Sequence, residues 1–391
     1  MSLAAISSAR MGRWQAEPGF GVYVHIPFCR HRCHYCDFNT YEGLDELHEP
    51  YVDALVRDIR RWPHARRPAT SVFFGGGTPT LLPPSSIARI LEALEATFGL
   101  EPGAEITIEA NPETVDVSTF SRLHSAGLNR VSIGVQSLVG RVLEKLGRTH
   151  DAATALAAVD AARVAGFDDV NMDVIYGSVW ETPADWDRTL RGIAERAPDH
   201  VSAYALTIEE GTPLGTLVAT GRVADVDPDV QAARHARAED ALGAAGYQRY
   251  EVSNWARPGR ASAHNVLYWS AGNYAGFGAG AHAHVDGTRW WNVRLPRDFI
   301  ARVDAGDTTE GGRESLDPDA RAGEALMLGL RLADGIDPIA FATRFADDAL
   351  EARTPELDRL VSLGLLVRSA GRMALTPRGT MLANEVATSL L

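Results

Sequence analysis

The stretch Val22–Asn39, VYVHIPFCRHRCHYCDFN, decides how this chain is read. Gly21–Ile26 is an apolar, β-branched run that reads as a strand, and the loop directly after it carries Cys29, Cys33 and Cys36 with three and then two residues between them. These are the only 3 cysteines in 391 residues. An odd number packed this tightly is no disulfide framework, so the cluster marks a site. Three thiolates can hold three irons of a [4Fe–4S] cluster and leave the fourth iron open to a small molecule. The triad alone leaves a second reading open: zinc in a Cys₃His site, with His25, His31 or His34 as the fourth ligand. A redox-active thiol pair lacks a thioredoxin-like setting.

Working outward, five further strands are expected at Ser71–Gly75, Glu105–Glu109, Arg130–Val135, Val170–Ile175 and His200–Leu206. Amphipathic or Ala-rich segments separate them, among them Tyr51–Arg61, Ser86–Phe98 with Ser85 or Ser86 as N-cap, and Asp151–Ala165 ended by Gly166. Repeated strand–helix units imply an α/β fold with a parallel sheet. Six units are too few for the eight-fold barrel, so a partial (β/α)6 barrel is expected over residues 21–227, after an N-terminal extension of residues 1–20. Residues 228–315 read as a connecting α/β region. Residues 316–391 read as an α+β, winged-helix-like domain: helices at Pro338–Arg344 and Thr354–Gly364, two short strands near Leu365–Val367 and Arg372–Leu375, and a last helix after Pro377.

On such a sheet, ligands gather at the carboxyl ends of the strands. There the sequence places Gly75–Thr80 (GGGTPT), then Glu109, Gln136 and Arg148, with Asp173 inside the fifth strand. Singly these are ordinary turn or N-cap residues. Together, beside three thiolates, they describe a pocket for a zwitterionic nucleoside. The net charge of −13 argues against a phosphate backbone as partner. No apolar run is long enough to span a membrane, and the N-terminus has the wrong polarity for a secretory signal, so a cytoplasmic protein is expected.

The motifs VYVHIPFCRHRCHYCDFN, FFGGGTPT, IEANPE, GVQS, NMDVIYG and HNVLYW make the chain resemble the radical S-adenosylmethionine (SAM) superfamily. Within it the resemblance is to the coproporphyrinogen dehydrogenase-like group and its heme-chaperone branch, HemW, from Tyr23 to the C-terminal domain. The resemblance implies that Cys29, Cys33 and Cys36 bind a [4Fe–4S] cluster and that SAM lies among Tyr23, Gly76, Gly77, Thr78, Glu109, Gln136, Arg148 and Asp173. Reductive cleavage of the sulfonium to a deoxyadenosyl radical is the chemistry it implies. His264-Asn265-Val266-Leu267-Tyr268-Trp269 matches the branch's HNxxYW motif, which implies heme binding by His264, Asn265, Tyr268 and Trp269; His282 and His284 are reserve ligands. Two departures separate the chain from the dehydrogenase. Phe38 stands where that enzyme has a fourth cysteine, and only about twenty residues precede the first strand. Heme and client hemoproteins are therefore the expected partners, with radical chemistry on a tetrapyrrole as the alternative and peripheral membrane contact left open. Met327 is expected in the core, and Trp290 and Trp291 in interdomain packing.

Overall fold

The computed structural model describes residues 10–63, 66–346 and 348–391; most of the expected N-terminal extension, residues 1–9, lies outside them. Six strands, β1 (Phe20–Ile26), β2 (Ala69–Gly76), β3 (Leu100–Ala110), β4 (Arg130–Gln136), β5 (Asp169–Tyr176) and β6 (His200–Ala205), pair in parallel in sequence order. Each alternates with helices, as the expected (β/α)6 arrangement requires. The cause lies in composition: β1, β2, β4 and β5 are buried along most of their length, on both faces, and parallel strands covered on both faces are built from near-continuous apolar runs. Val22, Val24, Ile26, Val72, Phe74, Ile108, Val131, Ile133 and Val170 belong to one core.

The sheet continues past these six. β7 (Gln248–Glu251) and β8 (Asn254–Ala256) form a short antiparallel pair on β6, while β9 (Asn273–Phe277) lies parallel to β1 and leads to antiparallel β10 (His282–Val285), β11 (Thr288–Asn292) and β12 (Glu310–Ser315). The result is one 12-stranded sheet running from β12 to β7. The Gly- and aromatic-rich segment Asn254–Trp291 thus supplies the strands β8 to β11 as well as a helix, Ala263–Trp269. Gly276 makes this packing feasible, since a Cβ there would lie 1.9 Å from the His282 carbonyl oxygen.

Two local expectations change. The helix Pro84–Phe98 starts with Pro84 at its first turn and no side-chain cap; Ser86 instead donates to Glu49 Oε1 at 3.0 Å. A proline at the first helical position needs no capped N–H of its own. Met327 is only half-buried, and Leu326 takes the core place beside it. Trp290 packs on the main core and faces Trp62, ring centroids 6.1 Å apart.

After the helix Pro318–Gly329, the C-terminal segment runs through the helices Pro338–Phe345, Asp348–Glu351 and Thr354–Ser362, a hairpin, and the helices Pro377–Met381 and Ala383–Leu390. Its hairpin is β13 (Leu366–Ser369) with β14 (Arg372–Leu375), and its core around Leu326, Phe341, Leu360 and Leu366 is shared with Trp14, Tyr250 and Val266. Among the described residues no helix is long and apolar enough to cross a membrane.

Candidate functional site

Cys29, Cys33 and Cys36 are half-buried free thiols on the loop after β1. Backbone hydrogen bonds hold that loop to distant parts of the chain: Cys29 N–H to Tyr41 O at 2.9 Å, His34 N–H to Leu146 O at 3.1 Å, and Leu214 N–H to His34 O at 2.8 Å. The glycine loop after β2 is stitched to the same segment, through Gly77 N–H to Ile26 O at 2.8 Å and Thr78 N–H to Phe28 O at 2.7 Å. Glycine is required here. Gly76 has φ +114° and a Cβ would meet the His25 ring at 2.5 Å, while a Cβ on Gly77 would lie 2.4 Å from the Phe28 carbonyl oxygen.

The three thiols border a cavity of about 370 Å³ at the carboxyl ends of the strands. Of the residues expected around SAM, Gly76, Gly77, Glu109, Gln136, Arg148 and Asp173 line it with them. Arg148 donates from Nη1 to Cys33 Sγ at 3.2 Å and from Nη2 to Asn111 Oδ1 at 2.7 Å and Gly134 O at 3.1 Å. Its Nε, and the buried Gln136 Oε1, have no partner among the described residues. Gln136 adopts a left-handed backbone, φ +62°, at the end of β4, an uncommon geometry for a non-glycine residue.

Two carboxylates share the cavity. Glu109 Oε2 accepts from Gly76 N–H at 3.0 Å; burial, and then the nearby Asp173, push its carboxyl up to about 7. Asp173 accepts from Ser132 Oγ at 2.6 Å and Asn171 Nδ2 at 2.8 Å, and burial raises its carboxyl above the usual range.

Tyr23 and Thr78 stand behind this surface rather than in it. Tyr23 OH donates to His25 Nδ1 at 2.8 Å, and Thr78 Oγ1 lies 3.8 Å from Cys29 Sγ while accepting from Asn111 Nδ2 at 3.0 Å. Tyr35, Ser132 and Tyr204 also line the cavity and were not singled out from sequence. Tyr35 sits inside the cysteine motif itself, which was a readable signal; Ser132 and Tyr204 read only as strand residues.

The zinc alternative loses its geometry. His25 donates from Nε2 to Asn39 O at 2.9 Å and accepts from Tyr23 at Nδ1, so both ring nitrogens are committed. His34 Nδ1 donates to Lys145 O at 3.2 Å, and His31 lies 3.5 Å from Glu42. Among the described residues no three His, Cys, Asp or Glu side chains converge as ligands of a single ion must. A cubane asks for something different, one thiolate at each of three corners.

The HNVLYW motif lies at the opposite, amino-terminal end of the strands. It forms the helix Ala263–Trp269, whose first turn rests on buried Glu105 in the middle of β3: Ser262 Oγ, Ala263 N–H and His264 N–H donate to that carboxylate at 3.0, 2.9 and 3.1 Å. Arg10 and Arg130 flank it; burial opposes its charge, yet these two arginines hold its carboxyl below the usual range. His264 is buried, stacks on Phe73 and has both ring nitrogens engaged, with Ser71 Oγ at 2.8 Å and Tyr268 OH at 3.0 Å. Burial pushes it down to about 4, so it is neutral at pH 7. It presents no ring nitrogen to an outside ligand in this conformation. His282 is exposed and stacks on Trp291.

A buried chain of hydrogen bonds joins the two ends. Asn171 Nδ2 donates to Asp173, His200 Nδ1 donates to Asn171 Oδ1 at 2.7 Å, Tyr250 OH meets His200 Nε2 at 2.9 Å, and Asn265 Nδ2 reaches Tyr250 OH at 3.4 Å. One residue of the cavity and one of the HNVLYW motif are therefore termini of a single polar network.

Comparison with known proteins gives the same frame. Residues 23–193 match the radical SAM superfamily and residues 316–382 the HemN C-terminal domain. The solved structure of coproporphyrinogen III oxidase (HemN) from Escherichia coli superposes with a TM-score of 0.81 at 23% identity, covering 98% of this chain and 92% of that one; that likeness is one of fold. Heme chaperone HemW of Mycobacterium tuberculosis (strain ATCC 25618 / H37Rv) is 40% identical over 95% of both chains. The HemW proteins of Escherichia coli (strain K12) and Bacillus subtilis (strain 168) are 34% and 31% identical, over 94% and 93% of this chain and 97% of each relative. With the thiol loop, the glycine loop and the HNVLYW helix all lying inside these aligned lengths, the chain belongs to the HemW family of the radical SAM superfamily.

Proposed function

We propose that this chain is a heme chaperone of the radical SAM type, which binds heme and passes it to client hemoproteins. Cys29, Cys33 and Cys36 would hold a [4Fe–4S] cluster, and the adjoining cavity would hold SAM. The observation that carries the reading is the cavity itself: three unpaired thiols on its border, with Gln136 Oε1 and Arg148 Nε buried in it and left without partners. A zwitterionic ligand satisfies such groups. Arg148 suits a carboxylate through a charge-assisted pair, and Glu109 and Asp173 suit an ammonium or ribose hydroxyls. When bound, the cluster and SAM supply one-electron chemistry, to which the protein adds position and shelter from water.

The designation shared by the three relatives supports the heme half of the reading. Phe38, 64% exposed on the cavity border, stands where the dehydrogenase group has its fourth cysteine, which favours a chaperone over a decarboxylase. Three free thiols suit a reducing compartment, and we place the protein in the cytoplasm.

The test is anaerobic reconstitution followed by incubation of the heme-loaded protein with an apo-hemoprotein. Heme should move to the acceptor, and coproporphyrinogen III supplied with SAM and reductant should be recovered intact. A decarboxylated tetrapyrrole would overturn the reading.

A further inference from the structure

Tyr268 and Trp269 line a second cleft of about 300 Å³, bounded by β9, β10 and the helix Pro318–Gly329 of the C-terminal segment. Its walls are apolar and aromatic, with Tyr274, Leu328 and Phe345 completing them. Trp269 Nε1 is buried without an acceptor among the described residues.

Four polar side chains break this lining: the ion pair Arg289–Glu324, and two others, His284 and Arg321. His284 Nδ1 lies 3.2 Å from Gly272 O. A carbonyl can only accept, so Nδ1 carries the proton and Nε2 keeps its lone pair. No hydrogen-bond partner of Nε2 is found among the described residues. This is how a metal-binding imidazole is prepared, with its far N–H tied to a backbone carbonyl that fixes ring and tautomer. Burial, ahead of the neighbouring charges, lowers the imidazole below its ordinary value and keeps it neutral. The second group is Arg321, which lines the cleft and makes no ion pair within 4 Å among the described residues; Asp286, a carboxylate that feels its charge, is already bonded to Arg67 at 2.8 Å. Arg289 differs, being tied to Glu314 and to both oxygens of Glu324.

The occupant follows from what the cleft lacks. No three ligating side chains converge there or anywhere among the described residues, so a bare ion is not the guest. A single imidazole is enough for a metal that brings its own in-plane nitrogens, and a flat apolar macrocycle with carboxylate arms suits aromatic walls and one unpaired arginine. We propose that His284 is the axial ligand of heme in this cleft, that Arg321 meets a propionate, and that His264 acts from behind as a positioning residue for Tyr268. The proposal rests on the heme-chaperone reading and specifies its site. The cleft is open to solvent on one side, which suits a protein that must release heme to an acceptor.

The experiment uses the full chain with its cluster reconstituted, titrated anaerobically with heme and read by its Soret band. His284→Ala should weaken binding at least about tenfold and lose the imidazole-ligated spectrum, and free imidazole should restore that spectrum. Leu328→Trp, which fills the cleft without touching the ligand, should also weaken binding, with iron and sulfide content unchanged in both variants. Wild-type affinity and spectrum in His284→Ala would overturn the proposal while leaving the chaperone reading intact. Failure of the wild-type chain to bind heme would overturn both.

Discussion

Replacing Glu105 by alanine would remove the carboxylate on which the HNVLYW helix is seated. That side chain is 3% exposed and accepts from Ser262 Oγ and from the N–H groups of Ala263 and His264 at 2.9–3.1 Å, and from Arg10 Nη1 at 2.6 Å. A buried donor left unsatisfied costs about 1–3 kcal/mol, and losing one partner of a buried ion pair costs about 3–5 kcal/mol. The terms are not additive. Asp169 stays beside Arg130 at 3.5 Å, which softens the charge loss, and water can enter the space left at the helix start. A destabilisation of about 4 kcal/mol is expected, a large part of the roughly 5–15 kcal/mol that holds a typical domain. Glu105→Gln keeps an acceptor for the helix but no charge for the arginines, and should lose about half as much. Urea unfolding followed by tryptophan fluorescence measures both, with the heme-binding spectrum as a local readout. A loss below about 1 kcal/mol for Glu105→Ala would refute the view that this carboxylate anchors the helix.

Glu109, raised from 4.5 to about 7 chiefly by burial, binds a proton in the folded chain that the unfolded chain releases between those two values. Stability of the SAM-free protein should therefore fall as pH rises from about 4.5 to 7, by at most about 3 kcal/mol. Thermal unfolding of Glu109→Gln across that range should show a shallower descent than wild type, and an identical descent would contradict the assignment. Tyr250→Phe removes the hydroxyl between His200 and Asn265, leaving His200 Nε2 buried without a partner. A loss of about 1–3 kcal/mol in urea unfolding is expected, and no measurable loss would break the proposed continuity of the network. Cys33→Ala should abolish iron retention after anaerobic reconstitution, measured as iron per chain; wild-type iron content in that variant would remove Cys33 from the ligand set.

The six parallel strands could be read from sequence because strands buried on both faces are written as unbroken apolar runs, and the thiol triad because three cysteines so close together have few other meanings. The strands β9 to β12 were hidden by their composition. They are short, rich in glycine and aromatic residues, and one of them pairs with β1 about 250 residues away, a long-range contact that no local periodicity announces. Glu105 looked like the polar start of a strand; its partners, Ser262 and His264, come from a segment more than 150 residues later. The HNVLYW motif was visible, but which side of its helix would be buried was not, and that side turned the His264 ring inward against Ser71 and Phe73. His284 could be named as a histidine in a glycine-rich turn, whereas the carbonyl of Gly272 that orients it becomes apparent only once β9 and β10 are paired.

The measurement that bears most directly on the central claim is electron paramagnetic resonance of the reduced, anaerobically reconstituted protein, with iron and sulfide counted on the same sample, before and after addition of SAM. The account predicts about four irons and four sulfides per chain, and a spectrum that changes when SAM is added, as binding in the cavity lined by Arg148 and Glu109 would require. A protein that retains no cluster, or a cluster whose spectrum is indifferent to SAM, would contradict it.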